Sequence, residues 1–189
     1  MDENIKNKLR TIISLPDDDY ELFFSWFEKK KYKRYTSIVD CNHVEDYLYF
    51  IESGVVRFWV ENGEKEVTFD FAFPDTFFSS YASFITRKKS EWNIQALTPI
   101  VVWQISYNKI QQCYENFSSG QKIGRMLAEF LFIRSTHQVI FLLKLSPEEK
   151  YRTLVATRPN YIQLIPLKYL ASYIGITPQA LSRIRRRIY

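Results

Sequence analysis

Residues 166–188 read PLKYLASYIGITPQALSRIRRRI, and this stretch carries the sharpest structural signals in the chain. Pro166 suits the first turn of a helix, and Gly175 can adopt the left-handed conformation that ends one. Thr177 can cap a second helix, in which Pro178 would take the first position. The stretch therefore predicts two helices joined by a three-residue turn, the arrangement called helix-turn-helix.

The apolar residues of both predicted helices recur at helical spacing. In the first helix they are Leu167, Leu170, Ala171 and Ile174, and in the second Ala180, Leu181, Ile184 and Ile188. If these two faces pack together, the opposite side of the second helix carries polar side chains, namely Gln179, Ser182, Arg183 and Arg186.

These polar side chains are typical of a helix that reads DNA. The N-terminal part of such a helix meets base edges in the major groove, where Gln can pair with adenine and Arg with guanine. Other cations and hydroxyls along the motif can reach phosphates. The phosphate candidates are Arg185, Arg186, Arg187, Lys168 and the hydroxyls of Ser172 and Tyr173. A solvated helix face and a membrane-surface anchor are the alternatives.

The charge of the chain is unevenly distributed. The net charge is +5, but residues 150–189 contain eight Lys or Arg and no Asp or Glu. The other 18 basic and all 21 acidic residues lie in residues 1–149, which therefore carry −3. A basic module on a mildly acidic body indicates a polyanionic partner, either nucleic acid or an anionic membrane surface.

Composition excludes several classes of protein. The 189 residues contain no run of about 18 consecutive apolar residues, and the N-terminus lacks the apolar stretch of a signal peptide, so we expect a cytoplasmic protein without a membrane partner. Cys41 and Cys113 are too few for a disulfide framework or an iron–sulfur cluster. His43 and His137 are too few for a cupin-type metal site. No phosphate-binding loop or nucleophile elbow occurs, so we expect no cofactor, no metal and no enzyme activity.

The middle of the chain predicts antiparallel strands. From residue 31 to about residue 105, aromatic and β-branched residues often alternate with polar ones and are interrupted by turn signals. The pair Asn62-Gly63 predicts a hairpin with these two residues at its centre. Short antiparallel strands at this spacing favour a barrel or β-roll. Helices are expected before them, in residues 1–30.

After Ser106 the pattern becomes helical again, with a long helix over residues 119–145. Six of its residues, spaced 3-4-3-4-3, form a short coiled-coil seam, and these are Ile123, Met126, Phe130, Ile133, His137 and Ile140. The helix is apolar on a second face as well, which predicts contact with both the roll and a second copy of the chain; burial within one chain is the alternative. Ser146 and Pro147 then begin a further helix.

The sequence resembles the Crp/Fnr family of bacterial transcription regulators, in particular its short Bacteroidetes-type members. The resemblance runs along nearly the whole chain. It rests mainly on LASYIGITPQALSRIRRRI (170–188), with weaker support from DYLYFIESGVVRFWVE (46–61) and EWNIQALTPIVVWQIS (91–106). It implies an α+β fold with N-terminal helices, an antiparallel β-roll like the cyclic-nucleotide-binding domain, a long dimerisation helix and a C-terminal helix-turn-helix. The implied divisions are an effector domain (1–118), the dimerisation helix (119–145) and a DNA-binding domain (146–189).

The resemblance also implies a function. A homodimer would bind a palindromic operator with half-sites one helical turn apart, roughly 34 Å. Thr177, Gln179, Ser182 and Arg183 match the family's base contacts, whereas Pro178 stands where an arginine often stands. No β-hairpin wing follows the second helix in this sequence. RNA polymerase is a further partner if the protein activates transcription.

On the ligand side the sequence departs from the family. Members that bind cyclic AMP carry Gly-Glu and then Arg-Ser or Arg-Thr, and the corresponding residues here are Asp75-Thr76 and Ser90-Glu91. The phosphate-binding arginine is replaced, and Glu91 would repel a phosphate, so we expect no tight cyclic AMP binding. The alternatives are no ligand, with the roll serving only as a scaffold, or an unknown small effector in a pocket comprising Asp75, Thr76, Phe77, Ser90, Glu91 and Trp92. A second hypothesis for the whole chain is a ligand-binding or protein-interaction β-roll with a vestigial helix-turn-helix.

Overall fold

The computed structural model describes residues 3–188 and, within them, every side chain except those of Asn4, Asp17 and Asp18. The described residues form nine helices and eight strands. The helices are α1 (Glu3–Ile12), α2 (Asp17–Ser25), α3 (Tyr81–Thr86), α4 (Tyr107–Asn116), α5 (Gly120–Lys144), α6 (Pro147–Thr157), α7 (Pro159–Ile162), α8 (Leu167–Ile174) and α9 (Pro178–Ile188). The strands are β1 (Glu28–Tyr32), β2 (Ser37–Val39), β3 (Tyr47–Ser53), β4 (Val56–Asn62), β5 (Lys65–Ala72), β6 (Phe77–Phe78), β7 (Asn93–Ala96) and β8 (Ile100–Ser106).

The strands form two antiparallel four-stranded sheets that pack into a roll. The order is β1-β8-β3-β6 in one sheet and β2-β7-β4-β5 in the other. Ile51, Val56, Phe78, Ile94 and Val102 are fully buried in the cluster that both sheets share. Burial of such large apolar side chains is the main stabilising contribution to a domain of this size. The predicted α+β fold with an antiparallel roll is confirmed.

The hairpin between β4 and β5 differs by one residue from the prediction. Asn62 pairs with Lys65 as part of the ladder, so the two loop residues are Gly63 and Glu64. Of these two loop residues, only Gly63 has a positive φ, of 62°. A glycine at the first loop position provides the positive φ that a two-residue hairpin loop needs, so asparagine is not required there. The hairpin was predicted correctly, but Asn62 lies in the strand.

Four elements of the roll are not visible as sequence patterns. Strand β1 has the sequence EKKKY and four exposed residues out of five. It is an edge strand paired only with β8, so its strand conformation comes from that partner, and its lysines protect the open edge from further pairing. Strands β2 and β6 have three and two residues, and helix α3 has six, which is too short for a periodicity.

Helix α5 connects the roll to the C-terminal helices. Ile123 and Leu127 at its start are buried in a cluster with α1, α2 and β3. Further along, Arg134 forms an ion pair with Asp70 of β5, and Gln138 donates to the carbonyl of Phe69 at 2.7 Å. By length and composition, α5 is also the one helix in the described residues that could cross a membrane, with a mean hydropathy of 1.3 over 18 residues.

Candidate nucleic-acid interface

The turn between α8 and α9 is built as the sequence predicts. Gly175 ends α8 in the left-handed conformation, with φ 88°. The hydroxyl of Thr177 accepts from the N–H of Ala180 at 3.2 Å, which caps α9. Leu181 and Ile184 are buried against α8 and the helices before it. The one difference is Pro166, which occupies the N-cap of α8 rather than its first turn.

Helix α9 directs a polar face away from its buried side. A helix turns about 100° per residue, so Gln179, Ser182, Arg183 and Arg186 lie opposite Leu181 and Ile184. Ser182 is half-buried, and the residues of the candidate interface that are exposed are Lys168, Thr177, Gln179, Arg183, Arg185, Arg186 and Arg187. The structure therefore brings the predicted DNA-contact residues together on α9 and its cap, with Lys168 on the neighbouring helix.

The arginines of α9 differ in their partners. Arg187 lies 3.3 Å from Glu148, which also binds Arg152 within α6. Arg183, Arg185 and Arg186 form no ion pair with any described residue. The four arginines of α9 have only one acidic partner among the described residues, Glu148, so this surface carries an excess of positive charge. Such an excess attracts a polyanion over distances of about 8–10 Å in physiological salt.

The hydroxyls of Ser172 and Tyr173 do not face this surface, so the prediction that they reach phosphates is wrong. Ser172 accepts from the N–H of Thr68 at 3.0 Å and donates to the carbonyl of Glu66 at 3.1 Å, both on β5. Tyr173 is buried and donates to Gln138 at 3.1 Å. Their position in the sequence suggested a surface role, but α8 packs on the roll, which uses both hydroxyls.

Arg57 is the centre of this contact between α8 and the roll. Its side chain is 1% exposed and lies over the rings of Tyr169 at 3.7 Å and Trp59 at 4.9 Å. It also donates to Gln95 at 3.0 Å and to Glu66 at 2.6 Å. Contact with aromatic rings and hydrogen bonds to acceptor oxygens stabilise a guanidinium in a buried position. Sequence reasoning missed Arg57, because nothing local marks it as buried.

Half of the predicted dimer seam on α5 is covered by its own chain. Ile123 is fully buried, so it cannot contact a second copy, and Met126 and Phe130 pack against the N-terminal cluster. Ile133, His137 and Ile140 are exposed. The most exposed apolar side chains lie on another side of the helix, at Phe132 (72%) and Leu143 (81%), with Val139 between them. The N-terminal helices and the roll therefore cover the first half of the predicted stripe, and its second half is exposed.

A cavity of about 660 Å³ lies between the roll, α3 and α5, and we call it the inner cavity. Its walls are mainly apolar and aromatic, with Phe58, Phe69 and Tyr81 on one side and Leu131 of α5 on the other. The one cation that lines it is Arg134, whose charge is already balanced by Asp70. The arrangement fits an apolar ligand better than a phosphate.

The six residues of the predicted effector pocket do not form one site. Trp92 lines the inner cavity, and its indole nitrogen is buried without a hydrogen-bond partner among the described residues. Phe77 is fully buried in the core, and Ser90 is buried, with its hydroxyl 2.8 Å from that of Ser80. The remaining three lie elsewhere. Asp75 is exposed and paired with Lys8, Glu91 is exposed, and Thr76 lines a second cavity.

A buried carboxyl group lies on the other side of α3. Glu45 is 2% exposed and accepts from the N–H of Tyr47 at 2.9 Å and the hydroxyl of Tyr49 at 3.2 Å. Burial raises the pKa of Glu45 to about 7, and these hydrogen bonds offset only part of the effect. The thiol of Cys113 is also buried, which raises its pKa to about 11 and makes it unreactive at neutral pH.

Residues 29–117 match the family model described as "Cyclic nucleotide-binding domain". The match extends from β1 to the end of α4, the region that the two sheets and α3 occupy. In sequence this region is therefore similar to cyclic nucleotide-binding domains. The similarity concerns the fold and does not identify a ligand, and the described lining of the inner cavity contains no unpaired cation. No curated protein matches the chain.

Several solved structures share a similar fold over most of the chain. The structure titled as the c-di-GMP responsive global regulator CLP of Xanthomonas campestris has a TM-score of 0.70 and 17% identity, covering 92% of this chain and 91% of that one. FixK2 from Bradyrhizobium japonicum has a TM-score of 0.68 and 15% identity, and the match covers 86% of this chain and 84% of FixK2. The Thermus thermophilus catabolite activator protein has a TM-score of 0.58 and 21% identity, and the match covers 93% of this chain and 84% of that protein. At these identities the likeness extends the shared fold beyond the domain, through α5 and the C-terminal helices.

Proposed function

We propose that this chain is a transcription regulator that binds double-stranded DNA as a homodimer and is not an enzyme. The observation that carries the proposal is the outer face of α9. Gln179, Arg183 and Arg186 share the side opposite the buried Leu181 and Ile184, and the two arginines have no acidic partner in the described chain. A helix positioned by packing on one side and free on the other can enter a major groove, which is about 12 Å wide.

The division of labour among the α9 side chains follows from their positions. Gln179 and Arg183, in the first half of the helix, are placed to read base edges, together with Thr177 and Ser182. Arg185, Arg186, Arg187 and Lys168 are placed to contact phosphates. Arg187 must leave Glu148 to do so, and an exposed ion pair of this kind is worth at most about 1 kcal/mol.

Dimerisation is proposed to use an outward ridge of α5, which consists of Phe132, Thr136, Val139, Ile140 and Leu143. Four of these are large apolar side chains at least half exposed, and they recur at helical spacing. A second copy of the same ridge would cover them in an antiparallel or parallel helix pair around a two-fold axis. A two-fold dimer presents two α9 helices to one palindrome, which a single copy cannot do.

The sensor part of the proposal concerns the inner cavity. Ser90 and Glu91 stand where cyclic AMP-binding members hold the phosphate, and neither supplies a cation; Glu91 instead adds an exposed carboxylate. We therefore propose that cyclic AMP does not bind tightly and that an effector, if present, is largely uncharged. A ligand with one hydrogen-bond acceptor would satisfy the unpaired indole N–H of Trp92.

The proposal is tested by selecting random DNA duplexes with the purified full chain at about 150 mM salt, where non-specific phosphate binding is weak. Recovery of a two-fold symmetric sequence supports a dimeric regulator, and Arg183→Ala should then relax the preference at one base position in each half-site. The competing hypothesis, a ligand-binding or protein-interaction module with a vestigial helix-turn-helix, predicts no enriched sequence and equal binding to scrambled DNA.

A further inference from the structure

A second cavity, of about 690 Å³, lies where the roll, α5 and the C-terminal helices meet, and we call it the junction cavity. The roll contributes Phe73 and Thr76, α5 contributes Phe130 and Phe141, and α6 contributes Thr157 and the arginine that follows it, Arg158. The Arg134–Asp70 ion pair lines both this cavity and the inner cavity, and so lies between them. A volume of this size accommodates a small organic ligand.

Arg158 is placed at the cavity by a break in the helix. Pro159 disfavours a helical conformation in the residue before it, and Arg158 accordingly leaves α6 with φ −138° and ψ 48°. Its backbone N–H still bonds the carbonyl of Leu154, at 2.8 Å, so its backbone is held in place. Its guanidinium lies 5.2 Å from the centre of the Phe73 ring. The side chain thus reaches from the C-terminal helices to the roll.

The charges around the junction cavity do not balance. Asp70 is its one acidic side chain, and both carboxylate oxygens are used, by Arg134 and by the N–H of Phe71. Arg158 forms no ion pair within residues 3–188. It therefore contributes an uncompensated positive charge, and His137 adds another basic group at the rim. The floor below is aromatic and aliphatic, formed by Phe71, Phe141 and Leu154.

We propose that the junction cavity binds a small organic anion with an apolar body, such as an aryl or acyl carboxylate. The apolar body would lie on the aromatic floor, and the anionic group would pair with Arg158, which offers planar, bidentate hydrogen bonds. An occupant contacts the roll, α5 and α6 together. The site is distinct from the inner cavity, and it does not depend on whether α9 binds DNA.

Most of the outward ridge of α5 lies on a different side of the helix from this cavity. Phe130, His137 and Phe141 lie about 120–180° around the helix from Phe132, Val139 and Leu143, as the 100° step per residue requires. Phe132, Val139 and Leu143 therefore face away from the cavity, whereas Ile140 lies about 60° from His137, and the test uses the full chain.

The test uses two fluorescent probes with the same kind of aromatic body. One is 8-anilinonaphthalene-1-sulfonate, an anion, and the other is N-phenyl-1-naphthylamine, which is neutral. Arg158→Gln should raise the Kd of the anionic probe by about tenfold or more, because it removes a charge-assisted contact, and should leave the neutral probe unchanged. Arg152→Gln is the matched control, because Arg152 is exposed on α6, pairs with Glu148 and does not line the cavity.

A second variant tests the location independently of charge. Thr157 is exposed at the cavity wall, so Thr157→Trp should fold and should obstruct the site for both probes. The proposal is overturned by any of three results: no saturable binding of the anionic probe to the wild type, equal effects of Arg158→Gln and Arg152→Gln, or binding of the anionic probe that Thr157→Trp leaves intact. Circular dichroism of each variant confirms that the fold is retained.

Discussion

The guanidinium carbon of Arg57 lies 3.7 Å from the centre of the Tyr169 ring, so a buried cation of the roll is stacked on helix α8. The contact joins the roll to the helix that packs beside α9. Together with the hydrogen bonds of Ser172 to β5, it fixes where the C-terminal helices sit on the roll. The orientation of α9 therefore depends on a small number of identifiable side chains.

Arg57→Met should lower the free energy of unfolding by about 1–3 kcal/mol, because it keeps the packed stem but removes the cation and its hydrogen bonds. In a double-mutant cycle with Tyr169→Leu, the coupling should be about 1–2 kcal/mol, the range of a desolvated cation–π pair. Urea unfolding measures both quantities. Arg125→Met is the control, because its pair with Glu129 is exposed and should contribute less than about 0.5 kcal/mol. A coupling near zero would show that the stacking is incidental.

Ser172→Ala should lower the free energy of unfolding by about 1–3 kcal/mol, since it leaves the backbone N–H of Thr68 without its partner. Ser182→Ala provides the contrast on the neighbouring helix. It should leave the unfolding free energy within about 0.5 kcal/mol of the wild type and weaken DNA binding instead. If both substitutions had the same effect on stability, the proposed separation of a docking face and a DNA face would be wrong.

Glu45 predicts a dependence of stability on pH. Its pKa is raised from 4.5 to about 7 in the folded chain, so between these values the folded state holds a proton that the unfolded state has lost. Stability therefore falls as pH rises through this window, by about 3 kcal/mol in total at about 1.4 kcal/mol per pKa unit. Below pH 4.5 the group contributes nothing, and above pH 7 the full penalty is present.

The measurement is the unfolding free energy of the wild type and of Glu45→Gln from pH 4.5 to pH 8. The wild type should lose stability relative to the variant as the pH rises, whereas the exposed hairpin variant Glu64→Gln should track the wild type. Parallel curves for the wild type and Glu45→Gln would mean that Glu45 titrates at its ordinary pKa.

Leu143→Glu should abolish or strongly weaken dimerisation. Leu143 is 81% exposed, so a single copy loses no packing, but the two-fold interface would have to bury two carboxylates. We expect the dimer dissociation constant to rise at least about tenfold, as measured by size-exclusion chromatography with light scattering. Gln163→Glu, exposed away from α5, should leave it unchanged. A wild type that remains monomeric at tens of micromolar would exclude the proposed interface.

The fold was largely predictable because its signals are local. Gly175, Thr177 and Pro178 define the turn between α8 and α9, and each acts on its own backbone conformation or on neighbours within three residues. The same holds for Ser146, whose side chain and Glu149 form the predicted start of α6 as a capping box. Strand β1 was missed for the opposite reason, because only its long-range pairing with β8 makes it a strand.

The dimer surface and the ligand cavities were less predictable than the fold. They depend on which side of a helix or strand packs against the rest of the chain. A heptad spacing indicated a seam on α5, but the roll and a dimer partner compete for the same helix, and spacing cannot assign Ile123 to one or the other. The effector residues were placed by resemblance, and the turn between β5 and β6 leaves Asp75 exposed while Phe77 is buried. The cavity beside Arg158 is assembled from several distant segments, so no local pattern marks it.

The most direct test of the central proposal is a fluorescence anisotropy titration of the full chain against the palindrome recovered by selection and against a scrambled duplex, at about 150 mM salt. We predict tighter binding to the palindrome by at least about a thousandfold, the low end for specific DNA-binding proteins. Arg183→Ala should lose most of this ratio, whereas Arg125→Ala, on α5, should keep it. Equal affinity of the wild type for both duplexes would contradict the assignment of α9 as a sequence-reading helix.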